Sequence, residues 1–201
     1  MADSIGILAY GSLIDDPGPE LEKFIVGSIE TATPFNVEYG RKSSTRGGAP
    51  TLTITADGCK VNARILILDS KVDLQYAKDM LYRRELRLND LSKVYNEPAR
   101  ESAKMRIRKL SNFENIGDVL YADLPGNIDS VTSKLLAELA IGSARNVRTK
   151  PGMDGITYLM NNIANGIVTP LTEQYQQQIL LQTNTTSMKA ALELLVPSKA
   201  F

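Results

Sequence analysis

Near the start of the chain an apolar run, Ile5-Gly6-Ile7-Leu8-Ala9, stops abruptly at Tyr10-Gly11-Ser12-Leu13 and meets the breaker cluster Asp15-Asp16-Pro17-Gly18-Pro19. The pattern predicts a buried strand ending in a sharp, exposed turn. Glycine lets the main chain approach a ligand closely. Successive N–H groups in such a turn can hold an anionic or carbonyl oxygen. Many buried strands end in a similar turn that binds nothing, so this stretch acquires meaning only with a second one.

From Phe24 to Glu38 apolar and polar positions alternate loosely. Ile25, Gly27 and Ile29, then Phe35, Val37 and Tyr39, predict one or two extended segments interrupted at Pro34. Arg41 to Pro50 reads as a polar loop of small residues. Thr51-Leu52-Thr53-Ile54-Thr55 alternates strictly and is β-branched, which predicts a strand. Asp57-Gly58 turns the chain, and Val61 to Leu68 predicts another strand.

At Asp69-Ser70 the period changes. Ser70 and Asp73 resemble a capping box, and Val72, Leu74, Ala77, Met80 and Leu81 form a helical face ending near Tyr82-Arg83-Arg84-Glu85. Ala103 to Leu110 and Asp118 to Ala122 predict two strands joined through Asn112 to Gly117. From Asp129 onward the spacing is helical: Val131, Leu135, Leu136, Leu139 and Ala140 share one face, and Ile156, Leu159, Met160 and Ile163 another. Thr169-Pro170 starts a helix over Leu171 to Thr183, and Ser187 to Leu195 gives the last. Arg145 to Gly152 reads as a basic, flexible flap. The expected class is α+β, with the strands curling into a small barrel over 1–125 and a helical region over 126–201 packed on the same domain.

Composition narrows the chemistry. The 201 residues are 43% hydrophobic and 23% charged, with 23 basic and 23 acidic side chains, so nothing global points to nucleic acid or a membrane. The expected address is cytoplasmic, since the start lacks a signal-peptide pattern and a lone Cys59 suits a reducing compartment. Histidine is absent, which removes Ser-His-Asp and Cys-His catalysis and His-ligated zinc. Catalysis would then rest on carboxylates, hydroxyls, lysine or backbone dipoles, and no metal or cofactor is expected.

The second stretch is Tyr82-Arg83-Arg84-Glu85-Leu86. By itself it reads as two arginines complementing a helix C-terminus beside a solvated glutamate. Taken with the strand running into Tyr10-Gly11-Ser12-Leu13, the Ser43 to Gly48 loop, and the strand rising from Gly58 through Val61, it resembles the gamma-glutamylcyclotransferase-like family. The resemblance covers residues 1–125 and reaches only loosely into the helical tail. Alanine stands at Ala63, where the family often has the last glycine of Gly-x-Val-x-Gly. Leu86-Arg87-Leu88-Asn89 follows neither well-known branch, so the substrate stays open.

The resemblance implies an enzyme that releases 5-oxoproline from a small gamma-glutamyl peptide or amine, glutathione among the possibilities. The substrate's own α-amine attacks its side-chain carbonyl. Glu85 would serve as general acid and base, with Tyr10, Gly11, Ser12 and Leu13 forming the substrate-binding turn. That role requires Glu85 to be partly buried. Arg46 fits either a bidentate donor to a substrate carboxylate or a solvated loop arginine. Two other readings stand beside this one: a silent small-carboxylate binder of the same fold, and an interaction module using the C-terminal helices. Asp15-Asp16 reads as loop solubility, Cys59 as a small strand-end residue, and Leu86 to Arg108 as either a lid or an inert excursion.

Overall fold

The computed structural model describes residues 4–99, 104–146 and 148–196. In chain order the strands are β1 (Ile5–Ala9), β2 (Ile25–Ala32), β3 (Val37–Ser43), β4 (Ala49–Ile54), β5 (Asn62–Leu68), β6 (Arg106–Phe113) and β7 (Ile116–Asp123). The helices are α1 (Pro19–Glu22), α2 (Leu74–Glu85), α3 (Ser133–Arg145), α4 (Gly155–Ala164), α5 (Thr172–Thr183) and α6 (Met188–Leu195). The fold is α+β. No helix among the described residues is long and apolar enough to cross a membrane.

The chain forms two compact units, one from Met1–Pro34 and Asn62–Pro125, the other from Phe35–Val61 and Gly126–Phe201. In the first, five strands make a mixed sheet in the order β2-β5-β1-β7-β6. Its central strand β1 runs antiparallel to β5 and parallel to β7. The sheet is open, with β2 and β6 as its edges, so the expected barrel does not close among the described residues. The reason lies in the partition of strands: β3 and β4 form a separate two-stranded sheet, and β4 packs on α3 in the second unit.

One core of the first unit lies where α2 meets the sheet. Ile7, Ala9, Leu66, Leu120 and Ala122 from the strands pack with Ala77, Met80 and Leu81 of α2. Asp73 caps α2, its side chain accepting from the Tyr76 N–H at 2.8 Å. The start of α2 is therefore Asp73, not Ser70. A carboxylate directly at the N-cap bonds the N3 amide without a partner further back. Val72, just outside the cap, and Ala77 at the fourth helical position are both buried in the same core, the arrangement of a hydrophobic staple.

The β6–β7 connection is tighter than the Asn112–Gly117 loop expected from polarity. Phe113 pairs with Ile116, leaving Glu114 and Asn115 as a two-residue turn with φ of 51° and 62°. Two successive positive φ values match the right-handed twist of a hairpin. Ala103, the expected start of this strand, lies outside the described residues, as does Val147 of the expected flap.

In the second unit the hairpin presents Val37, Tyr39 and Leu52 to its interior. Asp154 caps α4 through the Thr157 N–H at 2.8 Å, and Thr132 and Ser187 cap α3 and α6. Gly155 permits a close crossing of α4 on α3: a Cβ there would lie 2.8 Å from the Ala140 Cα. Glu38 is buried beneath the start of α5. Its carboxylate accepts from Leu171 N at 3.0 Å, Thr169 Oγ1 at 2.6 Å and Tyr39 N at 2.8 Å. An anion at a helix N-terminus meets both unpaired amides and the positive end of the dipole.

Candidate functional site

The turn after β1 is a short 3₁₀ segment, Gly11–Leu13, entered through extended Tyr10. Gly11 has φ 61°, a conformation glycine adopts without penalty. Two carbonyls of the turn are already used: Gly11 O accepts from Ile14 N at 3.3 Å and Ser12 O from Asp16 N at 3.0 Å. The first N–H groups of such a turn precede its own hydrogen-bond ladder. Leu13 is 4% exposed and sits in the hydrophobic core, so its side chain anchors the turn. The Tyr10 phenol donates to Ala122 O at 3.2 Å, tying the turn's entrance to the end of β7.

Glu85, the last residue of α2, has a side chain 16% exposed and pairs with Arg84, Nη1 to Oε1 at 2.7 Å. The Arg84 side chain is 7% exposed and reaches back to the turn. Its Nη2 donates to Ser12 Oγ at 3.2 Å and to Asp16 O at 2.6 Å, and its Nε to Asp16 O at 3.0 Å. Glu85 is thus one guanidinium away from Ser12. Arg87, held at φ 54°, adds an ion pair to Asp16 at 2.8 Å. Ser12 and Glu85, distant in sequence, meet the same guanidinium within the first unit.

Arg46 belongs to the second unit. It is 7% exposed, at the end of a short 3₁₀ turn, with its guanidinium 4.8 Å above the Tyr158 ring. That is a buried cation–π contact rather than a solvated loop arginine.

Two residues central to the group have other parts when read from the sequence. Arg84 reads as a helix-dipole partner, and Asp16 as loop solubility. Their contact spans 68 positions and runs through a main-chain carbonyl, which side-chain identity does not report. Neighbouring Arg83 does different work. It is 3% exposed, pairs with Glu20 and donates to the carbonyls of Leu91 and Lys93, so it secures the segment following α2. Asp79 accepts from Tyr95 N at 2.7 Å, and Tyr95 OH accepts from Ile107 N at 3.0 Å. Much of 86–99 is therefore tied down.

The second unit contains a cavity of about 510 Å³ lined by Glu38, Thr53, Asp57, Asp129 and Leu171 among others. Tyr10, Gly11, Ser12, Leu13, Arg46 and Glu85 do not line it, and Glu38 is engaged by the start of α5. Beside it the aromatic cluster Tyr39, Tyr158 and Tyr175 packs edge to face, with Tyr39 5.2 Å from Tyr175. Burial pushes the Tyr39 and Tyr175 phenols far up, so both stay neutral. The Cys59 thiol is raised by burial and by the Glu38 charge, and donates to Val168 O at 3.3 Å. Among the described residues no group of three or more potential ligands is placed to hold a metal ion. The chain matches no known family, no curated protein and no solved structure.

Proposed function

We propose that the chain is a gamma-glutamylcyclotransferase-like enzyme that releases 5-oxoproline from a gamma-glutamyl peptide or amine. The observation that carries this reading is the link from the partly buried Glu85 through Arg84 to Ser12 and Asp16. The reading also draws on the histidine-free composition, since this reaction needs no enzyme nucleophile.

In the reaction the substrate α-nitrogen forms a bond to its own δ-carbonyl carbon, and the bond from that carbon to the leaving nitrogen breaks. Glu85 takes the proton released by the attacking amine and delivers it to the leaving amine. Atoms balance within substrate and carboxylate. Holding the substrate curled supplies the largest gain, as in other intramolecular reactions. Main-chain N–H groups at Gly11 and Ser12 would face the oxygen on which negative charge develops.

The test is release of 5-oxoproline from a panel of gamma-glutamyl compounds by the purified protein, beside Glu85→Gln. The expected result is turnover that falls by about 100- to 10,000-fold in the variant while the melting curve stays in place. Wild-type activity in Glu85→Gln overturns the assignment.

A further inference from the structure

The cavity in the second unit is built by separate stretches of chain. The Gly40 carbonyl of β3 accepts from Asn127 N at 3.1 Å and Ile128 N at 3.2 Å, which lays the segment entering α3 along the hairpin. Asn127 Oδ1 also accepts from Lys42 N at 2.6 Å. The start of α5 supplies another side through Leu171, whose N–H holds the Glu38 carboxylate. The enclosed volume of about 510 Å³ lies within the range of about 300–1,000 Å³ common to small-molecule sites.

Its lining combines two kinds of surface. Ile54, Ile128 and Val131 are apolar, whereas Glu38 of β3, Asp57 in the turn after β4 and Asp129 before α3 are acids. No lysine or arginine among the described residues lines the cavity. Glu38 is buried, and its charge is met by N–H and O–H donors rather than by a cation. A concave site lined by one sign of charge concentrates counter-ions of the other.

The shape of the cation follows from the spacing of the acids. Among the described residues no three potential ligands are placed to hold one metal ion, so the three carboxylates do not converge on a point. A compact ion therefore leaves at least one of them unmet. A ligand with an ammonium at each end reaches two acids at once, and methylenes between the ends cover apolar wall. Alkylamines carry this charge at neutral pH, as lysine does.

We propose that the cavity binds an aliphatic diamine, with Asp57 and Asp129 holding its two ammonium groups and Ile54, Ile128 and Val131 against its methylenes. The buried Glu38 charge adds to the attracting field. The proposal stands apart from the cyclotransferase reading, since Tyr10, Ser12, Arg84 and Glu85 do not line this cavity.

Calorimetric titration of the full chain tests it with 1,5-diaminopentane, with pentylamine, which lacks the second ammonium, with the corresponding diol, which lacks both, and with magnesium chloride. The wild type is expected to bind the diamine about tenfold or more tightly than pentylamine, and the diol most weakly of the three. Asp57→Asn and Asp129→Asn are each expected to bring the diamine down to the level of pentylamine. Both side chains belong to exposed residues, so both variants are expected to keep the wild-type melting curve. Glu193→Gln, at an exposed acid of α6 outside the cavity, is expected to leave the preference for the diamine unchanged. Absence of diamine binding, or equal binding of diamine and pentylamine by the wild type, overturns the proposal without recourse to any variant. A preference that survives in both aspartate variants, or that falls equally in Glu193→Gln, overturns it as a general effect of charge. Magnesium binding tighter than that of the diamine, and lost in the two aspartate variants, overturns it in favour of a metal ion.

Discussion

Arg83 and Glu20 close a two-point bridge between α2 and α1, with Nε and Nη2 donating to the two carboxylate oxygens at 2.9 and 2.6 Å. Hydrogen bonding to Glu20 raises the guanidinium above its ordinary value, so the arginine stays charged although it is buried. The remaining Nη1 holds the carbonyls of Leu91 and Lys93. Arg83→Met removes the bridge and both carbonyl contacts together. The expected cost is about 3 kcal/mol in urea unfolding, with faster amide exchange at 91–95. A loss within error of zero would mean that this bridge is not structural.

Two glycines on neighbouring helices should respond in opposite senses. A Cβ at Gly155 would lie 2.8 Å from the Cα and 2.9 Å from the Cβ of Ala140, and neither atom can move without shifting α3. Gly155→Ala is expected to destabilise by about 1–3 kcal/mol. At Gly142, exposed on α3, an added Cβ meets nothing within 4 Å. Gly142→Ala is expected to stabilise by about 0.5–1 kcal/mol through lower unfolded-state entropy. Thermal melts of the two variants check the pair, and equal shifts would contradict the close crossing of α3 and α4.

Cys59 provides a pH-dependent readout of the second unit. Burial, and then the charge of Glu38, raise its thiol in the folded state. A raised folded value means that this group's contribution to stability is intact below the ordinary thiol range and is lost as pH climbs through the folded value. Iodoacetamide should label native protein more slowly at pH 8 than protein in urea, with the gap narrowing as pH rises. Glu38→Gln should speed native labelling, because it removes the repelling charge. Equal rates in the native and unfolded states would contradict the burial of the thiol.

Local pattern conveys most of the elements and little of their assembly. The strands over Ile5–Ala9 and Asn62–Leu68 are readable because apolar runs of strand length end at turn residues. The α2 helix is readable, with an end near Tyr82–Glu85, because Leu74, Ala77, Met80 and Leu81 keep the helical period. The hairpin at Glu114-Asn115 is hidden, since neither residue is glycine and Asn112 looks like loop. Nothing in Val37–Ile54 announces that this hairpin packs with helices rather than with the strands on either side of it. At the candidate site, glycine chemistry at Gly11 and the acid at Glu85 stand out. Arg84 does not, because its main partner is the carbonyl of Asp16, a group every residue carries.

The parallel pairing of β1 with β7, in which Ile5 lies opposite Asp118, has a consequence for biosynthesis. On the ribosome β1 emerges long before its parallel neighbour exists, and the β3–β4 hairpin likewise waits for the helices that follow residue 126. Both units are discontinuous in sequence, so neither can be completed while the other's intervening segment is still being translated. Contacts between remote stretches dominate the sheet, which slows folding and leaves apolar strands uncovered in the nascent chain.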